Sequence, residues 1–357
     1  MADQLPAGSV IGILGGGQLG RMLSVAAARL GYRSHIYEPG ADAPAAQVAD
    51  RLTRAPYDDE TALRAFAAGV DVITYEFENI PTAALDVLEK LRPIHPGRQA
   101  LAVSQDRLAE KHFLQTSGLT VAPFAEVNSV DDLVAAMAKI GTPSILKTRR
   151  FGYDGKGQVR LTADSDPAKA MAALADAPAV LEGFVDFERE ISVIGARAAD
   201  GQVSCFDPGE NVHQNGILHT TNVPAQISGS QRMDAVLIAS KILTTLDYVG
   251  VMGVELFVTK SGLIINEIAP RVHNSGHWTQ QGCAVDQFEQ HIRAIAGWPL
   301  GDGQRLADVE MLNLIGEDVE KLPDLAIATH TSIHLYGKAE VRKGRKMGHV
   351  NRITSVR

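Results

Sequence analysis

Two glutamates interrupt strongly apolar runs near residue 260: Glu255 in Val-Met-Gly-Val-Glu-Leu-Phe-Val and Glu267 in Leu-Ile-Ile-Asn-Glu-Ile-Ala. The runs are strand-like and are joined by Thr259-Lys-Ser-Gly262. With a loop over residues 260–262, positions 255 and 267 are mirror positions, and side chains so opposed have β-carbons about 5 Å apart. Two ionised carboxylates that close repel unless a cation or a shared proton lies between them. Hard oxygen ligands suit Mg²⁺, which also takes substrate phosphates and waters. In the alternatives each acid meets its own arginine, or a one-residue register slip sends the two to opposite faces. Arg271 and His273 follow at alternate positions, where a guanidinium could stabilise charge on a transferred phosphoryl group.

Two glycine loops offer further chemistry. Gly15-Gly-Gly17-Gln-Leu-Gly20 matches G-x-G-x-x-G between a strand and a helix, and Glu38 stands 18 residues beyond Gly20. That is a dinucleotide fingerprint, which read alone points to an NAD-dependent oxidoreductase. Close packing of helix on strand demands the same glycines, and a helix N-terminus attracts other polar ligands too. The second loop, Lys147-Thr-Arg-Arg-Phe-Gly152-Tyr-Asp-Gly155-Lys156-Gly157-Gln158, lies between two strand-like stretches. Its glycine amides, ringed by Lys147, Arg149, Arg150 and Lys156, suit a flap that folds over a polyphosphate. An ordinary exposed hairpin is the alternative.

These residues need elements to hold them. Strand, helix, strand, helix and strand follow one another at Val10–Leu14 and over 21–30, 34–37, 61–68 and 70–74, which predicts a parallel sheet covered by helices. Arg92-Pro-Ile-His-Pro-Gly97 punctuates the pattern. Helices over 107–117 and 131–140 then give way to strand-like stretches, so α+β architecture is expected, and a final segment carries β-like runs such as 331–336. The expected domains are 1–100, 101–297 and 298–357, in an α/β and α+β fold. The 357 residues are 45% apolar and carry a net charge of -8. Such a surface repels nucleic acid, so an anionic ligand must meet a local cationic patch. No apolar run is long enough for a transmembrane helix, and no basic segment precedes a signal-like stretch. Two isolated cysteines, Cys205 and Cys283, make neither a disulfide framework nor a zinc cluster. A soluble protein of the reducing cytoplasm is expected.

Taken together the residues resemble the ATP-grasp superfamily, and within it the carboxylating ligases of purine biosynthesis. The resemblance runs over nearly the whole chain. Its marks are Gly-Gly-Gly-Gln-Leu-Gly-Arg-Met (15–22), Tyr-Glu-Phe-Glu-Asn (75–79), Gly-Tyr-Asp-Gly-Lys-Gly-Gln (152–158), Asn-Glu-Ile-Ala-Pro-Arg-Val-His-Asn-Ser-Gly-His-Trp (266–278) and Gly-Arg-Lys-Met-Gly-His (344–349). It implies an N-terminal Rossmann-like domain, a central ATP-grasp domain and a small C-terminal β-rich segment. It also implies a reaction: ATP and bicarbonate give ADP and carboxyphosphate, whose carboxyl passes to the amine of 5-aminoimidazole ribonucleotide. By the resemblance, Arg107 and Lys147 contact ATP phosphates under the flap Gly152, Tyr153, Asp154, Gly155, Lys156, Gly157 and Gln158. Glu182, Gly183, Phe184 and Val185 form the adenine hinge, Glu190 meets the ribose, and His213 joins the nucleotide site. Glu255 and Glu267 hold Mg²⁺, with Mn²⁺ as a substitute, and Asn266 lies beside them. Arg271, His273 and Asn274 line the carboxyphosphate pocket.

The glycine loop is thereby reassigned: Gln18, Leu19 and Glu76 face the ribonucleotide, not a nicotinamide. Tyr153 and Asp154 reach the aminoimidazole, Asp154 with a catalytic part, and Arg271 also touches this substrate. The basic tail reads on composition as a solvated strand, whereas the resemblance makes Lys338 and Arg345 the grip on the 5′-phosphate. Many ATP-grasp enzymes carry asparagine two residues after the second metal-binding glutamate; this chain has Ala269. The family also implies a homodimer, with Phe288 and Ile292 on a helical contact face or in a core.

Overall fold

A computed structural model describes residues 4–152 and 156–356. Tyr153, Asp154 and Gly155 lie outside the described residues. In the first hundred residues the apolar runs form a four-stranded parallel sheet in the order Arg51–Thr53, Arg33–Tyr37, Val10–Leu14, Val72–Tyr75. The central strands are buried on both faces, because the crossover helices cover the sheet on each side. Gln18–Arg29 starts at the glycine loop, and Glu60–Ala68 is capped by Asp59, which accepts the Ala62 amide at 2.9 Å.

A second, antiparallel sheet orders Phe124–Val127, Ala179–Gly183, Ser144–Thr148 and Gln158–Leu161. Helices Val130–Ile140 and Pro167–Ala173 pack on it, capped by Ser129 and Asp166. Ser144–Thr148 and Gln158–Leu161 pair directly, so the second glycine loop is the tip of a hairpin, as its flanking sequence predicts.

The third sheet is the largest and carries most of the candidate chemistry. Its order begins at the edge strand Gly262–Ala269, passes through Gly250–Thr259, Arg189–Arg197, Gly209–Gln214 and Ile217–Val223, and ends in Ala307–Ile315, Lys346–Val356 and Thr331–Leu335. The C-terminal β-rich segment therefore extends this sheet, joined by the pairing of Val223 with Val309. Phe288 and Ile292, at 1% and 0% exposure, sit in the core beneath it and not on an outward contact face.

His291 fastens the first sheet to the third. Its Nε2 lies 2.8 Å from the Thr74 hydroxyl, and its Nδ1 accepts the Val251 amide at 3.0 Å. Burial, with some help from His95, pushes its pKa down to about 3. The folded state thus refuses a proton that the unfolded chain accepts below about pH 6.5. Its contribution is complete above that pH and drains away as pH falls toward 3, by at most about 1.4 kcal/mol per unit. The decline in melting temperature between pH 6.5 and 5 should therefore be shallower in His291→Gln than in the unaltered chain. Parallel pH profiles for the two would contradict this.

Candidate functional site

The hairpin that carries the paired acids reaches the expected pairing by an unexpected route. Thr259 pairs with Gly262, so the turn holds two residues and not three. Counting on from that turn would set Glu255 opposite Asn266. A bulge between Glu255 and Leu256 shifts the register, and Glu255 pairs with Glu267 after all. The bulge leaves Asn266 as the extra residue, and Asn266, Glu255 and Glu267 all line one cavity. The Asn266 amide donates to Glu255 at 3.3 Å. Burial, then the charge of Glu267, pushes the Glu255 carboxyl up to about 7. Glu267 is held low, because Arg107 and Lys147 outweigh its burial. Among the described residues no three His, Cys, Asp or Glu side chains gather as a metal site. Two crowded carboxylates with room around them fit Mg²⁺, which draws its other ligands from phosphate and water.

The cavity measures about 670 Å³ and lies between all three sheets. Gln18, Leu19 and Glu76 form its N-terminal wall. Arg107, Lys147, Gly152, Lys156 and Gln158 stand at the flap side, with Glu190 and His213 beside them. Arg271, His273 and Asn274 also line it, and Nε2 of His273 lies 3.6 Å from Glu255.

Helix Arg107–Thr116 braces the edge strand. Arg107 donates to Glu267 at 3.1 Å, Lys111 to the Asn266 carbonyl at 2.7 Å, and Glu110 accepts the Ile268 amide at 2.6 Å. The last two bonds occupy backbone groups that an edge strand would otherwise leave unpaired. His213 meets Glu190 at 2.5 Å; burial opposes the imidazolium, but that carboxylate outweighs it and the pKa is raised. Arg271 is held by Glu78 and stays charged despite its burial. Both side-chain atoms of the Asn274 amide are buried without a partner among the described residues, as for a group that awaits a ligand.

Other predicted residues stand apart from the cavity wall. The Glu182 side chain turns into a buried ion pair with Lys147 at 3.1 Å and Lys111 at 3.4 Å, which keeps its pKa low against burial. Gly183 and Phe184 donate their amides to the Pro123 and Pro143 carbonyls, and Val185 lies in the link between Ala179–Gly183 and Arg189–Arg197. Gly157 shapes the hairpin: its φ is +70°, and a side chain there would strike the Thr148 hydroxyl. Arg345 meets Asp42 at 2.6 Å. Burial, then Arg345, pushes Lys338 down to about 8, and Glu76 and Lys346 are close enough to act on it. Neither Lys338 nor Arg345 lines the cavity, whereas Glu76 and Lys346 do.

The glycine loop settles its own ambiguity. Gly16 donates to Glu38 at 2.7 Å, and Gly17 and Gly20 donate to Glu76 at 2.8 and 3.3 Å. Two carboxylates occupy the place where a pyrophosphate would sit, so the dinucleotide reading fails on charge and on space.

The sequence reading missed Phe257, Phe187, Glu78 and Lys346 in the cavity wall. Phe257 and Phe187 stack at 4.6 Å between centroids. Phe257 was legible, since it lies two residues beyond Glu255 on one strand and so on one face. Phe187 lies in a loop with no such pattern.

A three-part fold with a glycine-rich hairpin, a carboxylate pair and a cationic wall fits an ATP-grasp ligase, and the chain matches the ATP-grasp domain over residues 112–288. It also matches the ribonucleotide synthetase preATP-grasp domain over 9–105 and the phosphoribosylaminoimidazole carboxylase C-terminal domain over 310–356. The N5-carboxyaminoimidazole ribonucleotide synthase of Brucella melitensis is 56% identical, over 98% of this chain and 97% of its own. A crystal structure of the ADP complex of an N5-carboxyaminoimidazole ribonucleotide synthetase has a TM-score of 0.96 at 44% identity, covering 99% of this chain and 94% of the other. The Aspergillus clavatus enzyme, solved with ADP and 5-aminoimidazole ribonucleotide, gives 0.91 at 31% identity, with 98% and 94% covered. The chain belongs to the N5-carboxyaminoimidazole ribonucleotide synthase family of purine-biosynthetic ligases.

Proposed function

We propose that this chain carboxylates 5-aminoimidazole ribonucleotide with bicarbonate at the expense of ATP, using the residues of the 670 Å³ cavity. The observation that carries the reading is the meeting, in one cavity, of the Glu255–Glu267 pair with Arg107, Lys147, Arg271 and Asn274. Arg107, Lys147 and Lys156 bind the ATP phosphates, with Gly152, Gly157 and Gln158 shaping the flap. Segment 182–185 carries the adenine, and Glu190 and His213 hold the ribose end. Glu255 and Glu267, with Asn266, hold Mg²⁺ or Mn²⁺, whose charge when bound neutralises that developing on the phosphates.

Bicarbonate lies against Arg271, His273 and Asn274, and one of its oxygens attacks the γ-phosphorus as ADP leaves. The amine of the ribonucleotide then attacks the carboxyl carbon of carboxyphosphate; the bond to the phosphate oxygen breaks, and the amine sheds a proton. Arg271 stabilises the negative charge at both stages, and the closed flap keeps water from carboxyphosphate. Gln18, Leu19 and Glu76 hold the ribonucleotide, Lys338 and Arg345 its phosphate, and Tyr153 and Asp154 are assigned to its base.

A cytoplasmic homodimer follows from the family reading; sedimentation of the purified chain checks the dimer. Among the described residues no helix is long and apolar enough to cross a membrane. The reaction is tested by ADP release in the presence of Mg²⁺, with ribonucleotide and bicarbonate omitted in turn. ADP formation should require the ribonucleotide, and label from bicarbonate should enter the product. ADP release that responds only to a different amine acceptor would overturn the substrate assignment.

A further inference from the structure

Gln287 is fully buried at the start of helix Gln287–Ile295 and is absent from the cavity lining. Its side-chain amide nevertheless grips the segment that brings Arg271, His273 and Asn274 to the cavity. The oxygen accepts the His273 amide at 2.9 Å, and the nitrogen donates to the His273 carbonyl at 2.7 Å. The same nitrogen lies 3.0 Å from Nδ1 of His277. Both amide protons and the oxygen are thus spent on one stretch of irregular chain. The fit is close: a β-carbon on Gly276 would stand 2.6 Å from the Gln287 oxygen. From the other side, the Ser192 hydroxyl donates to Ser275 at 2.7 Å, and that oxygen lies 2.8 Å from Nδ1 of His273.

Residues 271–274 leave the edge strand and have no sheet neighbour to fix them, so their backbone must find partners elsewhere. Gln287 supplies a sheet-like pair of bonds to His273. We propose that Gln287 is a positioning residue which, through the His273 backbone and His277, sets the affinity for bicarbonate and couples ATP cleavage to carboxylation. The proposal rests on the reading that residues 271–274 receive bicarbonate. A misplacement of about 1 Å at a reacting centre can cost about 100-fold in rate.

Gln287→Glu keeps the shape and the acceptor for the His273 amide but has no donor for the His273 carbonyl. The Michaelis constant for bicarbonate should rise about 10- to 100-fold, while that for ATP stays within about twofold. ADP should outrun carboxylated product, since misplaced carboxyphosphate is lost to water. Should Gln287→Glu fail to fold, Ser192→Ala decides, because it loosens the same segment from the opposite side; a severalfold rise for bicarbonate alone is expected. The proposal is overturned if bicarbonate affinity and coupling stay at wild-type values, or if all substrates weaken together in step with the folded fraction. A wild-type chain with no bicarbonate-dependent ADP release would sink the functional reading instead.

Discussion

Arg271→Ala should lower the turnover number by about 1000-fold while the Michaelis constant for ATP changes by no more than about threefold. The guanidinium lines the cavity, clamped by Glu78 and by the Val272 carbonyl. That clamp fixes its plane before substrate arrives, so little reorganisation remains when charge develops on bicarbonate and phosphoryl oxygens. In the role proposed for it, its loss removes an interaction that strengthens toward the transition state, which falls on turnover and not on ATP binding. Arg271→Lys should recover little, because a point charge on a flexible stem reproduces neither the planar fork nor the bond to Glu78. Alanine also strips Glu78 of its partner, so the melting temperature must be followed alongside. Steady-state rates at saturating ATP, with bicarbonate varied, make the measurement. Near-normal turnover in a folded Arg271→Ala protein would remove Arg271 from the mechanism.

Apolar patterning and helix punctuation carry the large features because burial and capping impose them. Val10–Leu14 was delimited as found, and 107–117 and 131–140 came within a residue of Arg107–Thr116 and Val130–Ile140. Ser228 and Gln231 form a capping box that announces Gly229–Thr245, yet its mixed polar and apolar face hid the helix. Arg51–Thr53 is a short, mostly exposed edge strand, and no alternation can mark three residues. At the site, residue types were readable but allegiances were not. Glu182 carries the same carboxylate as Glu267, and only the fold brings Lys147 and Lys111 to it. The glycine fingerprint shows the same limit: the anions that its amides bind are Glu38 and Glu76, each from the end of another strand. Glu255 and Glu267 were paired correctly on a loop length that was wrong by one, and the bulge at Asn266 made up the difference.

That pair makes the second large prediction. Glu267→Gln should cut turnover at ordinary Mg²⁺ by about 1000-fold, with partial recovery as Mg²⁺ is raised. The substitution keeps volume and one oxygen but removes the charge that two neighbouring strands converge to present. Helix Arg107–Thr116 is built around that carboxylate, with Arg107 on its oxygen and Lys111 and Glu110 on the backbone to either side. The backbone bonds survive the change, so the strand should stay in register and the loss should be chemical. Glu255→Gln should separate function from stability still further. Two carboxylates paired across a ladder repel when no cation lies between them, so the metal-free variant should melt no lower than the unaltered chain, while its activity collapses. This is the trade expected where a site stores repulsion for the sake of a ligand. Melting curves taken in chelator and in excess Mg²⁺ decide the matter: Mg²⁺ should raise the melting temperature of the unaltered protein and leave that of Glu255→Gln almost unmoved. An equal Mg²⁺ shift in both would mean that the cation binds elsewhere, and the two glutamates would then need another explanation for standing side by side in the cavity.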